Sequence, residues 1–151
     1  MSATLASLAT PIVVTATPET TATRAAQLMR EDHVGSLVVV DAATGDGKAS
    51  GIVTDRDLVL AVMAEGLDPA LFTVGDIMST QLVTAPADTA LIDATRLLHQ
   101  HRVRRLIVTD EAGRVVGLAA LEDVLEALTR EFSELVFALR GARDREMKER
   151  R

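Results

Sequence analysis

A shift of 69 positions lays this sequence over itself. Leu5-Ala6-Ser7-Leu8 falls on Val74-Gly75-Asp76-Ile77, Val14-Thr15-Ala16 on Val83-Thr84-Ala85, and Glu19-Thr20 on Asp88-Thr89. Ala22, Ala25, Ala26 and Met29 fall on Leu91, Ala94, Thr95 and Leu98. Their i, i+3, i+4, i+7 spacing predicts one buried helix face in each copy, opened by Thr20 and Thr89 as N-caps. Leu37-Val38-Val39-Val40-Asp41 then falls on Leu106-Ile107-Val108-Thr109-Asp110. The register slips by three where the loop from Ala42 to Ser50 outruns Glu111-Ala112-Gly113-Arg114, an insertion that a surface hairpin tolerates. Gly51-Ile52-Val53 resumes the match on Gly117-Leu118-Ala119, and Leu58, Ala61 and Val62 match Val124, Ala127 and Leu128.

Two copies of strand–helix–strand–strand–helix follow. The strands are short continuous apolar runs, as expected of sheets covered on both faces. Only 2% of the 151 residues are aromatic, with no Trp or Tyr, so the core must be built from Val, Leu, Ile and Ala. A unit of about 60 residues struggles to bury such a core alone. The expected fold is therefore mixed α/β (α+β), with two βαββα repeats, 5–66 and 74–130, packed about a pseudo-twofold axis. The turn signals of Glu65-Gly66-Leu67-Asp68-Pro69-Ala70 separate them. A C-terminal helical extension, 131–151, has no counterpart in the first repeat. From Leu121 its apolar positions run Leu125, Leu128, Phe132, Leu135 and Leu139, a short heptad seam. Such a seam either packs back on its own domain or meets a second copy. The charged tail Arg143 to Arg151 reads as a solvated, fraying helix end.

Chemistry concentrates at Gly51-Ile52-Val53-Thr54-Asp55-Arg56-Asp57. Thr54 and Asp57 have the spacing of a capping box, Thr54 accepting the Asp57 N–H and Asp57 reaching back. The same strand-to-helix junction offers free N–H groups and a positive dipole end to an anion, and Asp57 could accept both hydroxyls of a ribose. Both readings stay open on the motif alone. Elsewhere Arg102, Arg104 and Arg105 form a basic cluster in a chain of net charge −6. They serve either as phosphate forks or as partners of nearby acids.

Composition and missing motifs remove other classes. The acidic balance and the lack of stacking aromatics disfavour nucleic-acid binding. With no cysteine there is no disulfide framework, thiol nucleophile or zinc–cysteine site. His99 and His101 are two apart, which on a helix places them on different faces and argues against a paired metal site. No P-loop, dinucleotide fingerprint or nucleophile elbow occurs, so no enzyme activity is expected. No run approaches the roughly 20 apolar residues of a membrane span, and no basic n-region opens residues 1–17. A cytoplasmic protein without membrane attachment is the expectation.

The doubled order, together with Gly51 to Asp57, His101-Arg102-Val103-Arg104-Arg105-Leu106 and Asp76-Ile77-Met78, resembles a tandem pair of CBS domains, named for cystathionine β-synthase. The resemblance runs from about Leu5 to Leu128 and is similar to small stand-alone CBS-pair proteins. It implies two clefts between sheet-packed repeats that bind adenosine-containing ligands: AMP, ADP or ATP, with S-adenosylmethionine less favoured. It also implies a homodimer of pairs. Carried over, Asp57 would accept the ribose hydroxyls, Thr54 would contact the ribose or α-phosphate, and Arg56 would await a phosphate. Adenine would be held at Val34-Gly35 and Val103-Arg104. In the second cleft Asp123 matches Asp57, but Ala120 replaces Thr54 and Glu122 replaces Arg56, so one competent and one weak, empty or different site is expected. The function this implies is a nucleotide sensor that needs no resident cofactor and acts in trans on an unknown effector protein. The alternative is a scaffold with vestigial clefts working through dimerisation of the C-terminal helix.

Overall fold

A computed structural model describes residues 3–8 and 13–149. Each repeat holds one three-stranded sheet. In the first, β1 (Thr15–Ala16) pairs parallel with β2 (Ser36–Val40), which pairs antiparallel with β3 (Ala49–Thr54). In the second, β4 (Thr84–Pro86), β5 (Arg105–Thr109) and β6 (Val115–Ala120) repeat that order. Even the irregularity recurs, with a register shift at Val39/Val40 and at Val108/Thr109. Helix α1 (Ala22–Glu31) joins β1 to β2, and α4 (Leu91–His101) joins β4 to β5. The strand–helix–strand–strand–helix order read from the repeat is the order found.

The apolar runs are buried on alternate faces by different partners. Leu37, Val39 and Val53 enter one core with Ala25 and Met29, and Leu106, Val108 and Ala119 enter the other with Ala94 and Leu98. Val38 and Ile107, on the opposite strand faces, are buried as well. Both faces of each sheet are covered, which is why these strands do not alternate with polar residues.

The two cores are not closed by their own residues. Leu5, in a 3₁₀ turn (Leu5–Ser7) ahead of the first repeat, is fully buried in the core of the second. Val74, opening α3 (Val74–Ile77) ahead of the second repeat, is fully buried in the core of the first. The backbone bonds of this exchange are themselves repeated. Leu5 N–H donates to Thr89 O (2.9 Å) and Ala6 N–H to Ala87 O (2.7 Å). Sixty-nine residues on, Val74 N–H donates to Thr20 O (2.7 Å) and Gly75 N–H to Pro18 O (2.8 Å). Those bonds explain a correction to the caps. The Thr20 and Thr89 carbonyls belong to the exchange, and the helices begin one residue later. Thr21 caps α1 by accepting from Arg24 N–H (3.1 Å), while Ala90 stands at the start of α4 with no side-chain cap.

Two further features lie outside the pattern of the repeat. After β3, helix α2 (Asp55–Leu58) runs into a π-helical stretch, Val59–Met63, with Ala64 N–H donating to Val59 O (2.8 Å). The wider turn rotates the following side chains, so Val62 is buried and Ala61 is exposed, although its counterpart Ala127 is buried. After β6, one unbroken helix α5 (Leu121–Glu149) carries both the last element of the repeat and the extension. It packs back only at its start, where Ala3 N–H donates to Glu131 Oε1 (3.3 Å), and every residue from 129 to 149 is exposed. Arg150 and Arg151, part of the expected fraying tail, lie outside the described residues. Among the described residues no helix is long and apolar enough to cross a membrane.

Two outcomes test this architecture. Leu5→Ala should cost about 2–5 kcal/mol in denaturant unfolding. Its effect should be crossed: amide exchange should accelerate in β4–β6 for Leu5→Ala and in β1–β3 for Val74→Ala. Asp76, in the first turn of α3, accepts from the Thr73 N–H (2.9 Å) and hydroxyl (3.0 Å). Those two bonds hold its carboxyl below the usual value of 3.8. A carboxyl depressed in the folded state stabilises it while ionised, and that contribution disappears as the pH falls through 3.8 and below. Asp76→Asn should therefore lower the urea midpoint at neutral pH, by an amount that shrinks towards acid pH.

Candidate functional site

In both repeats a backbone bond ties the head of the central strand to the helix that follows the third strand. Asp55 N–H donates to Gly35 O (3.1 Å), and Leu121 N–H donates to Arg104 O (2.8 Å). Val34-Gly35 is thereby set beside Thr54-Asp55, and Val103-Arg104 beside Ala120-Leu121. A Cβ at Gly35 would stand 3.3 Å from Asp55 Oδ2, a tight contact but not one the bond requires, since Arg104 makes the equivalent bond.

At Thr54 the capping box is complete. Thr54 Oγ1 accepts from Asp57 N–H (3.2 Å), and Asp57 Oδ2 accepts from Thr54 N–H (2.8 Å). These bonds use one lone pair of the hydroxyl and one carboxylate oxygen. The Thr54 O–H proton and Asp57 Oδ1 make no hydrogen bond among the described residues. The box therefore orients Thr54 and Asp57 without exhausting them. Arg56, between them, is exposed and has no ion-pair partner among the described residues.

Thr54 faces a cavity of about 170 Å³ between the repeats. Ile52 and Thr54 of the first repeat form one wall. Val103, Arg104, Arg105 and Ile107 of the second form another, and Ser79 to Val83 close it. That closing segment is pinned to β3 by Ile52 N–H to Ser79 O (3.0 Å) and Ser79 N–H to Ile52 O (2.9 Å). Gly51 makes room for it, because a Cβ there would meet Met78 Sδ at 2.3 Å. Of the residues singled out in the sequence, Thr54, Val103 and Arg104 line this cavity. Val34, Gly35, Arg56, Asp57 and Asp123 do not. Arg105 lines it too, and so do Ser79 and Leu82, together with Gln81, Val83 and Ile107, none of which was nominated for the site. The basic cluster signalled Arg105, whereas only the inter-repeat bridge reveals Ser79 and Leu82.

The second junction keeps half of the box. Asp123 Oδ2 accepts from Ala120 N–H (2.9 Å), but Ala120 has no hydroxyl to return the bond. Glu122, in the place of Arg56, forms an ion pair with Arg104. Its own backbone N–H and then the Arg104 guanidinium hold its carboxyl below the usual range. Arg102 stands apart in left-handed conformation (φ 53°) as the C-cap of α4, so the three arginines do not act as one cluster. Among the described residues no group of His, Asp or Glu is arranged to hold a metal ion.

The caps carry a direct test. Thr54→Ala should cost roughly 1 kcal/mol of stability, and Ala120→Thr, which completes the second box, should gain a comparable amount, both read from urea unfolding.

The CBS domain family model matches residues 5–64 and 74–130. The CBS domain-containing protein YhcV of Bacillus subtilis is 38% identical over 112 residues, covering 74% of this chain and 76% of that protein. The protein MK0525 of Methanopyrus kandleri is 34% identical over 114 residues, and the match spans 76% of this chain but only 57% of that protein. A crystal structure of a conserved protein from Pyrococcus horikoshii superposes with TM-score 0.72 at 34% identity, covering 84% of this chain and 92% of that one. The CBS pair of MJ0100, solved in complex with 5′-methylthioadenosine and S-adenosyl-L-methionine, shares the fold with TM-score 0.74 at 22% identity, over 87% and 99% of the two chains.

Proposed function

The chain belongs to the CBS domain family as a tandem pair, and on that premise we propose that it is a regulatory module whose inter-repeat cleft binds an adenosine-containing ligand, AMP, ADP or ATP ahead of S-adenosylmethionine. The observation that carries the reading is the meeting of Thr54 from one repeat with Val103, Arg104 and Arg105 from the other around a single cavity. An adenosine phosphate needs an apolar slot for its base, polar groups for its ribose and fixed cations for its phosphate. Ile52, Val103 and Ile107 supply the first. The free Thr54 proton and the unengaged Asp57 oxygen supply the second, Asp57 standing just behind Thr54 rather than in the wall. Arg104 and Arg105 supply the third, with Arg56 at the helix start.

The cavity is smaller than the roughly 300 Å³ at which small-molecule pockets begin. A nucleoside would have to widen it, moving one repeat relative to the other. That coupling of occupancy to repeat packing is what a regulatory domain needs. It would be read by an effector protein acting in trans. Glu122 is a built-in competitor, since a phosphate would displace its carboxylate from Arg104. The second cleft, with Val34, Gly35 and Asp123, has no counterpart of the Thr54 hydroxyl and is the weaker site.

A thermal-shift panel of AMP, ADP, ATP and S-adenosylmethionine tests the reading, with an extrinsic dye because the chain lacks Trp and Tyr. Ligand at about 100 times its dissociation constant should add roughly 2.7 kcal/mol, and at about 2–4 °C per kcal/mol this is a rise of several degrees. The rise should vanish in Asp57→Ala and grow in Glu122→Gln for phosphate-bearing ligands only. No rise with any ligand would leave the scaffold reading in its place.

A further inference from the structure

The part of α5 that leaves the body of the protein is built as half of an interface. From residue 129 to 149 it projects for about 31 Å at 1.5 Å per residue. Along one side run Phe132, Leu135 and Leu139, exposed by 66, 61 and 72%, with Ala142 next in the same four-three rhythm. An isolated helix face of this kind is stabilised only by burial against another surface. The charges beside the stripe are not evenly spread. Beside its first half stands Glu131. Beside its second half stand Arg143 and Arg145, and Glu146 follows Ala142 in the line itself. The acidic half precedes the basic half.

That polarity selects both the partner and its direction. We infer that α5 pairs with α5 of a second copy of this chain in antiparallel orientation, centred near residue 137. A parallel pair would set Glu131 beside the partner's Val136 and leave it without a basic partner. An antiparallel pair sets Glu131 near the partner's Arg145 on the flank of the seam. The same register stacks Leu135 on the partner's Leu139 and Phe132 on the partner's Ala142, filling each layer with one large and one small or two medium side chains. It also keeps the contact beyond residue 128, clear of Val124 and Ala127, which are buried in each chain's own core. Phe137, 63% exposed, lies off the stripe and has no part in the contact. The pairing holds whether or not the cleft takes a nucleoside.

The chain has no cysteine, so orientation can be read from introduced ones. In the antiparallel pair the two copies of residue 142 stand about 15 Å apart along the axis, whereas a disulfide needs Cα atoms within about 7 Å. Ala142→Cys alone should therefore not cross-link, while a mixture of Ala142→Cys with a mass-tagged Phe132→Cys should yield the mixed disulfide. Self-linking of Ala142→Cys without the mixed product would overturn the orientation. In sedimentation equilibrium of the full chain, Leu135→Glu should raise the dimer dissociation constant about tenfold or more, and Phe137→Ala should leave it unchanged. A monomeric wild type overturns the pairing, as does a dimer indifferent to Leu135→Glu or equally sensitive to Phe137→Ala.

Discussion

Each half of this molecule is closed by a residue that the sequence assigns to the other half. Leu5 completes the second core and Val74 the first, and both are fully buried. Neither core is intact without the opposite leader, so two units that are each too small and too poor in aromatics are stabilised together. The exchange also sets the cleft. Once α3 has docked its Val74 in the first repeat, the chain must leave along β3, and Met78 and Ser79 lie against Gly51 and Ile52. The wall from Ser79 to Val83 is a consequence of that docking.

The Thr-x-x-Asp motif illustrates how a structural role and a binding role coexist on the same atoms. A capping box fixes a threonine hydroxyl and a carboxylate in one orientation at the start of a helix, where the dipole favours negative charge. Its bonds run from the backbone to Oγ1 and Oδ2, leaving one donor and one acceptor without a partner among the described residues. A ligand that binds there meets groups already immobilised and loses less entropy on ordering them. Finding the cap therefore does not argue against a ligand.

What the sequence made legible was whatever the duplication repeats locally: the strand order, the buried helix faces, the Thr54–Asp57 box and the loss of its hydroxyl at Ala120. What it hid depended on contacts across the pseudo-twofold axis. No local pattern tells that Leu5 belongs to the second core, and the one-residue error at Thr20 and Thr89 follows from the same blindness, because their carbonyls are taken by the exchanged leaders. The difference at Ala61 has another origin. A period of 3.6 carries no warning of a π-turn, and Ala61 and Ala127 occupy aligned positions yet differ in burial. Likewise Val103 and Arg104 could be nominated for a site from the motif, but their place opposite Thr54 rather than beside Val34 required the packing of the repeats.

The asymmetry between the halves lies in charge placed on a common frame. At the head of the central strand the first repeat has Gly35 and the second has Arg104; at the start of the following helix they have Arg56 and Glu122. In the second repeat these two positions neutralise each other through the Arg104–Glu122 pair. In the first, glycine offers nothing to neutralise Arg56, which stays exposed. Both side chains of the Arg104–Glu122 pair are more than half exposed, so it adds little to stability, and water and salt readily compete for it. Its weight falls instead on the field at the cleft. With Glu122 attached, Arg104 presents a dipole to an incoming anion; with Glu122 displaced, it presents a full charge beside Arg105. On the proposed reading, the pair holds that cation in reserve behind a carboxylate. That arrangement makes sense where an anion competes for the arginine.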